Sequence, residues 1–232
     1  MIELYRLNKK YNENEFVLKD LNLHIPIGQM VFLIGESGAG KSTLMKILYK
    51  AENFTSGRVL IGRVDISRLQ DSSQLRRRMG LIFQDVPLLP YLNVFDNIAY
   101  ILRASGASER EIKYRVEGSL NVVGLSHKAN DMPNHLSGGE KQRIGIARSI
   151  VTNPPILLAD EPTGNLDPVN SLRIFQLFKE INQKLGMTMV IATHDPRVHQ
   201  LKKRIIQLTN GQISMDTEPS NLSTFGSNYS PN

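Results

Sequence analysis

Gly35-Glu36-Ser37-Gly38-Ala39-Gly40-Lys41-Ser42, followed by Thr43, fits the pattern G-x-x-x-x-G-K-[ST]. Each residue type answers a demand of phosphate chemistry. Gly38 and Gly40 let backbone amides approach an anion closely, and a helix starting near Lys41 points its positive dipole end at the same spot. Lys41 supplies a point charge for β- and γ-phosphates, and the Ser42 hydroxyl is a ligand for Mg²⁺. A second candidate lies far downstream, where Ile156-Leu157-Leu158-Ala159 runs into Asp160-Glu161. Beside a phosphate loop, Asp160 is expected to hold Mg²⁺ through water and Glu161 to act as general base on the attacking water. The phosphate loop alone leaves kinase, GTPase and ATPase chemistry open.

The positioning elements are legible as apolar runs. Val31-Phe32-Leu33-Ile34 precedes Gly35, Leu81-Ile82-Phe83 precedes Gln84, and Met189-Val190-Ile191-Ala192 precedes Thr193-His194. With Ile156-Leu157-Leu158-Ala159 they read as strands buried on both faces of a parallel sheet. Ligands of such sheets sit at the carboxyl ends of the strands, where these four runs turn polar. The first third reads as strands, with Leu21, Leu23 and Ile25 alternating with polar residues and an extended stretch at 57–66. Residues 91–151 differ in texture. Ser108 with Glu111 is a capping-box-like helix start, followed by Ile112, Val116 and Leu120 on one face. A second helix is predicted to open at Ser137-Gly138-Gly139-Glu140 and to be stopped by Pro154-Pro155. Ile205 to Ile213 reads as a hairpin around Asn210-Gly211. The Ser-, Asn- and Thr-rich residues 217–232 read as a disordered tail.

Composition narrows the classes. The chain has 232 residues, 41% of them hydrophobic and 22% charged, which suits a globular α/β chain with a core. It has no Cys, which excludes disulfide scaffolds, thiolate zinc sites and cysteine nucleophiles. The longest apolar run, residues 30–34, is far short of the ~20 residues of a membrane helix. Neither such a span nor an export signal is visible, so a soluble, cytoplasmic protein is expected. The net charge of +6 invites nucleic acid, yet the basic residues are scattered. The densest cluster, Arg76-Arg77-Arg78, has no interleaved aromatics, and no nucleic-acid partner is expected.

Leu136-Ser137-Gly138-Gly139-Glu140 resembles the signature motif of ATP-binding cassette (ABC) ATPases. The order is also theirs: phosphate loop, Gln84, signature, Asp160-Glu161, Gly164-Asn165-Leu166-Asp167, His194. The resemblance spans about 2–216. It implies an α/β P-loop NTPase fold over residues 1–216, with a RecA-like core, an antiparallel β subdomain and a helical signature subdomain inserted at about 91–151. It implies Mg²⁺-dependent ATP hydrolysis by a homodimer formed on ATP binding, in which each signature (Ser137, Gly138, Gly139) closes on nucleotide held by the other subunit. Ser137 reads equally as a plain helix N-cap. By the same resemblance Tyr11 would stack on adenine, and Gln84 would touch Mg²⁺ and water and relay to a membrane partner. His194 would contact the γ-phosphate and Asp167 would couple the two sites. His24, His127, His135 and His199 are left as surface or cap residues.

Within the family, residues 157–168 and 80–85 resemble the branch holding FtsE-type cell-division, lipoprotein-release and macrolide-export ATPases, and Asp85, Leu88-Leu89-Pro90 and Pro168 after Asp167 are most similar to the FtsE type. That implies a peripheral subunit on the cytoplasmic face of the bacterial inner membrane, bound to an FtsX-like permease. It would couple ATP turnover to transmembrane signalling. Lipoprotein-release and macrolide-type exporters are the alternative. Asn93, Asp96 and Lys141 depart from the usual Thr, Glu and Gln. The apolar loop Val86-Pro87-Leu88-Leu89-Pro90-Tyr91-Leu92 suggests a covered surface for a membrane protein's short helix. Packing under the helical region is the competing explanation.

Overall fold

The computed structural model describes residues 1–12 and 15–218. Two strands, β1 (Ile2–Asn12) and β2 (Glu15–Ile25), form a long antiparallel hairpin, followed by β3 (Met30–Ile34) and α1 (Lys41–Leu48). β4 (Ser56–Ile61) and the two-residue β5 (Val64–Asp65) then join β1 in a four-stranded antiparallel sheet ordered β2-β1-β4-β5. α2 (Ser73–Arg77) leads into β6 (Met79–Ile82), and three helices follow: α3 (Val94–Ala104), α4 (Glu109–Val122) and α5 (Gly138–Ile150). The chain closes with β7 (Ile156–Asp160), α6 (Pro168–Leu185), β8 (Thr188–Thr193), β9 (Arg204–Thr209) and β10 (Gln212–Asp216). These strands and β3 and β6 form a second sheet, ordered β10-β9-β3-β8-β7-β6 and parallel except at β10.

The apolar runs are central strands of the second sheet, and alternation explains why they carry no polar residues. Met30 and Phe32 face the helices α3–α6, while Val31 and Leu33 face α1 and the antiparallel sheet. β7 and β8 divide in the same way, so both faces lie in apolar cores. The helix starts follow their caps. The Ser108 hydroxyl accepts from the Glu111 amide, and Ser137 with Glu140 forms a complete capping box. Asn93 caps α3 by accepting from the Asp96 amide at 2.7 Å, and Asp96 accepts an ion-paired hydrogen bond from Arg103 at 2.7 Å. The two departures at these positions therefore keep a capped, charge-paired helix. Arg76 donates to the carbonyls of Tyr49 and Lys50 at the end of α1, so the basic cluster is partly a helix-end brace.

The Asn210-Gly211 hairpin is present, and pairing continues one step past 216. Thr217 and Ile205 exchange two hydrogen bonds, through the Thr217 amide and the Thr217 hydroxyl. From residue 219 onward the expected tail lies outside the described residues. Among those described, no helix is long and apolar enough to cross a membrane.

Candidate functional site

Strand register builds the site. Ile34 is level with Thr193, Asp160 with Ala192, and Ile82 with Ala159. Gly35, Glu161 and His194 therefore leave the sheet at its carboxyl edge together, and Gln84 follows two residues after Ile82. The Gly35–Gly40 turn is possible because the chain lacks side chains where it is tightest. A Cβ on Gly35 would lie 2.5 Å from the Leu208 carbonyl oxygen. Gly40, at φ +101°, passes so close to β2 that a Cβ would meet Leu18 at 2.6 Å and the Val17 oxygen at 2.8 Å. Gly40 is also the N-cap of α1 and offers no side-chain acceptor to its first-turn amides. Those donors are left for a ligand.

Lys41 is buried, and its Nζ donates to the carbonyls of Gly35 at 2.8 Å and Glu36 at 2.9 Å. It lies 3.9 Å from Glu161 Oε1. The Ser42 hydroxyl donates to Asp160 Oδ1 at 3.2 Å. Burial pushes the Asp160 carboxyl above its ordinary value, partly opposed by the Ser42 hydrogen bond and assisted by neighbouring Glu161. Glu161 adopts φ +47°, with its amide donating to the Ala192 carbonyl at 2.9 Å. A non-glycine residue held there is strained, and the strain aims its carboxylate. Glu161 Oε2 lies 3.0 Å from His194 Nδ1, so Lys41 and His194 flank the carboxylate from two sides. Gln84 sits where Gly164 has no side chain, and its Nε2 donates to Asn165 Oδ1 at 3.4 Å. Asn165 in turn donates to Asp85 at 2.8 Å.

Glu36, Ser37, Gly38, Gly40, Lys41, Ser42 and Thr43 line one cavity of about 710 Å³ together with Val17, Gln84, Glu161, Gly164 and His194. That volume suits a nucleotide-sized ligand. Ala39 is buried behind the loop and packs in the core. No group of three His, Cys, Asp or Glu side chains placed to hold a metal exists among the described residues. A cation at Ser42 and Asp160 would complete its shell with phosphate and water oxygens, as suits Mg²⁺.

Other expected site residues stand apart. Tyr11, 55% exposed at the end of β1, is not part of the cavity lining. Ser137, Gly138 and Gly139 open α5 outside the cavity. Gly139 faces Asn170, so this start adjoins the start of α6. Asp167 caps α6, accepting from the amides of Val169 and Asn170 at 3.0 Å. Val17 and Asn165 escaped the sequence reading. Asn165 stood inside the quoted Gly164-Asn165-Leu166-Asp167 stretch, whereas nothing local marks Val17. Asn97 was also missed: it is buried and ties the apolar loop through Leu89 and Leu92.

A family model described as ABC transporter matches residues 18–164. The chain belongs to the ABC transporter family. The cell division ATP-binding protein FtsE of Bacillus subtilis is 43% identical over 219 residues, covering 93% of this chain and 96% of that protein. The methionine import ATP-binding protein MetN of Clostridioides difficile is 42% identical, covering 92% of this chain and 67% of that protein. The dimeric structure of MJ0796, a bacterial ABC transporter cassette, superposes with a TM-score of 0.82 at 36% identity. It covers 94% of this chain and 98% of that one. The same cassette bound to ADP and Pi in a post-hydrolysis state gives a TM-score of 0.81. The cassette described here is thus an ATP-binding α/β protein of the P-loop NTPase fold and an ABC-type ATPase.

Proposed function

We propose that this cassette is the ATP-hydrolysing subunit of a cell-division complex, bound at the cytoplasmic face of the membrane to an FtsX-like permease. ATP turnover would be coupled to transmembrane signalling. The observation that carries the catalytic part is the convergence of Lys41, Ser42, Glu161, His194 and Gln84 around one cavity, with Asp160 hydrogen-bonded to Ser42. In this reading the open amides of α1 and Lys41 bind the β- and γ-phosphates. Ser42 and Asp160 would hold Mg²⁺, with Gln84 at the rim, and the bound ion would supply charge neutralisation at the phosphates. Glu161, oriented by His194, takes the proton of the attacking water. Tyr11 stacks on adenine. Ser137, Gly138 and Gly139 act on the nucleotide of a second copy, and Asp167 couples the two sites.

The cell-division reading is supported by the near-complete coverage of both chains in the FtsE match; MetN is matched over two thirds of its length. A membrane contact is supported by the 84–97 segment. Val86 seats against Gly145 and Leu88 packs on the core, so packing accounts for part of the apolar loop. Tyr91 is 72% exposed and is not explained by packing. The partly buried Arg148 donates to the Pro87 carbonyl at 3.0 Å and links the loop to a groove of about 870 Å³. Exposed Tyr100 and Ile101 line that groove.

Depletion in the host tests the biology: division should fail while methionine uptake persists, and the reverse outcome would favour the import reading. Replacing Leu89 and Tyr91 together by Glu should release the protein from sedimented membranes while ATP binding is kept. Retention on membranes would remove this loop as the dock.

A further inference from the structure

Tyr11 is the one expected ligand-contacting aromatic outside the cavity lining, and its surroundings explain how it is held. β1 presents Lys9 and Tyr11 on one face, two residues apart. Lys9 is only 8% exposed, and its Nζ donates to Glu52 Oε1 at 2.7 Å. The same ammonium lies 4.5 Å from the centroid of the Tyr11 ring. Lys9 thus touches one aromatic face, while Tyr11 as a whole remains more than half exposed. The hairpin register places Tyr11 between the pairs Lys10–Phe16 and Asn12–Glu15. Val17, just across the hairpin, lines the cavity. The hairpin that carries the ring thus also contributes Val17 to the cavity wall.

We infer that Lys9 and Glu52 are positioning residues that brace Tyr11 for a purine base. This rests on the stacking role proposed for Tyr11. Two effects follow from the geometry. The brace restricts the ring before ligand arrives, which removes part of the ordering cost of binding. The ammonium also draws π-electron density toward its own face, leaving the opposite face better suited to an electron-rich purine. Glu52 keeps the lysine in place. Its carboxyl is held below its ordinary range chiefly by the Lys9 hydrogen bond, with Asn53 and Tyr11 acting in the same direction against a burial effect.

Equilibrium titration of the full chain with two probes separates these roles. ATP carries the base, whereas inorganic tripolyphosphate carries only phosphates; both are used with Mg²⁺. Lys9→Met keeps the apolar stem and should weaken ATP binding about three- to tenfold while tripolyphosphate binding is unchanged. Glu52→Gln should act in the same direction, and Lys9→Arg should restore most of the loss. In a Tyr11→Ala background, Lys9→Met should add no further loss. Equal loss for both probes, or an undiminished effect without Tyr11, would overturn the brace. If Tyr11→Ala weakens ATP binding and neither brace variant does, the stacking role stands and the brace falls. If Tyr11→Ala changes nothing, both fall. Should Lys9→Met fail to fold, Glu52→Gln and its combination with Tyr11→Ala make the same comparison.

Discussion

Two helices in this cassette begin at glycine-rich stretches, and they treat their first-turn amides in opposite ways. α1 starts behind Gly40, which has a left-handed backbone and no capping side chain. α5 starts behind Ser137, whose hydroxyl and amide both donate to Glu140 Oε2 at 2.8 Å, while the Glu140 amide donates back to Ser137 Oγ at 3.3 Å. The first terminus leaves its donors open toward a cavity with a buried lysine. The second is satisfied by its own chain. A glycine-rich helix start is therefore an anion site in the lone subunit only when nothing in that subunit caps it. In the proposed dimer, Ser137 would have to exchange its bond to Glu140 to reach the phosphate of the second copy's nucleotide.

The largest expected effect breaks the open site. Glu161→Gln preserves shape but cannot accept a proton, so phosphate release should fall about 10²–10⁴-fold with ATP binding intact. Lys41→Ala should instead abolish binding, because the loop loses its buried cation. Near-normal turnover of the Gln variant would remove Glu161 from its proposed role. The next effect falls on the capped site. With ATP, the Glu161→Gln protein should elute as a dimer in size-exclusion chromatography. Adding Ser137→Arg should return it to monomer although its own cavity is untouched. An unchanged dimer would leave Ser137 as a helix cap alone.

The smallest effects are in stability, and their pH dependences differ in sign. Glu140 is held below its ordinary value of 4.5, chiefly by the Ser137 amide, so its contribution is present above that value and lost as pH falls through the folded-state value. Glu140→Gln should lower the nucleotide-free melting temperature at neutral pH, and the difference should fade in acid. Asp160 is raised above its ordinary value of 3.8 by burial, so in the folded state it binds its proton more tightly than in the unfolded chain. Its contribution is present in acid and lost as pH rises through the folded-state value. Asp160→Asn should raise the nucleotide-free melting temperature by about 1–3 °C at neutral pH, fading in acid, while ATP hydrolysis is impaired. Parallel pH profiles for the two variants would contradict the contrast between the open and the capped site.

Local signals carried much of this protein. The apolar runs announced four parallel strands because strands covered on both faces admit no polar alternation. Ser108 and Ser137 announced helix starts because caps act within three residues. Asp167 with Pro168 at the first helical position was an equally readable start for α6, overshadowed by its place in a motif. The Gly35-to-Ser42 loop led to the proposed phosphate site, since the spacing of its glycines and lysine is local. Tertiary structure decided what depends on registers between distant strands. It set Glu161 against His194, placed Val17 on the cavity rim, put Gln84 over Gly164 and brought Glu52 to Lys9. It also divided the apolar loop into half-buried Leu88 and exposed Tyr91. These contacts join residues that lie tens of positions or more apart, and no local propensity encodes them; they exist only once the two sheets have paired and packed.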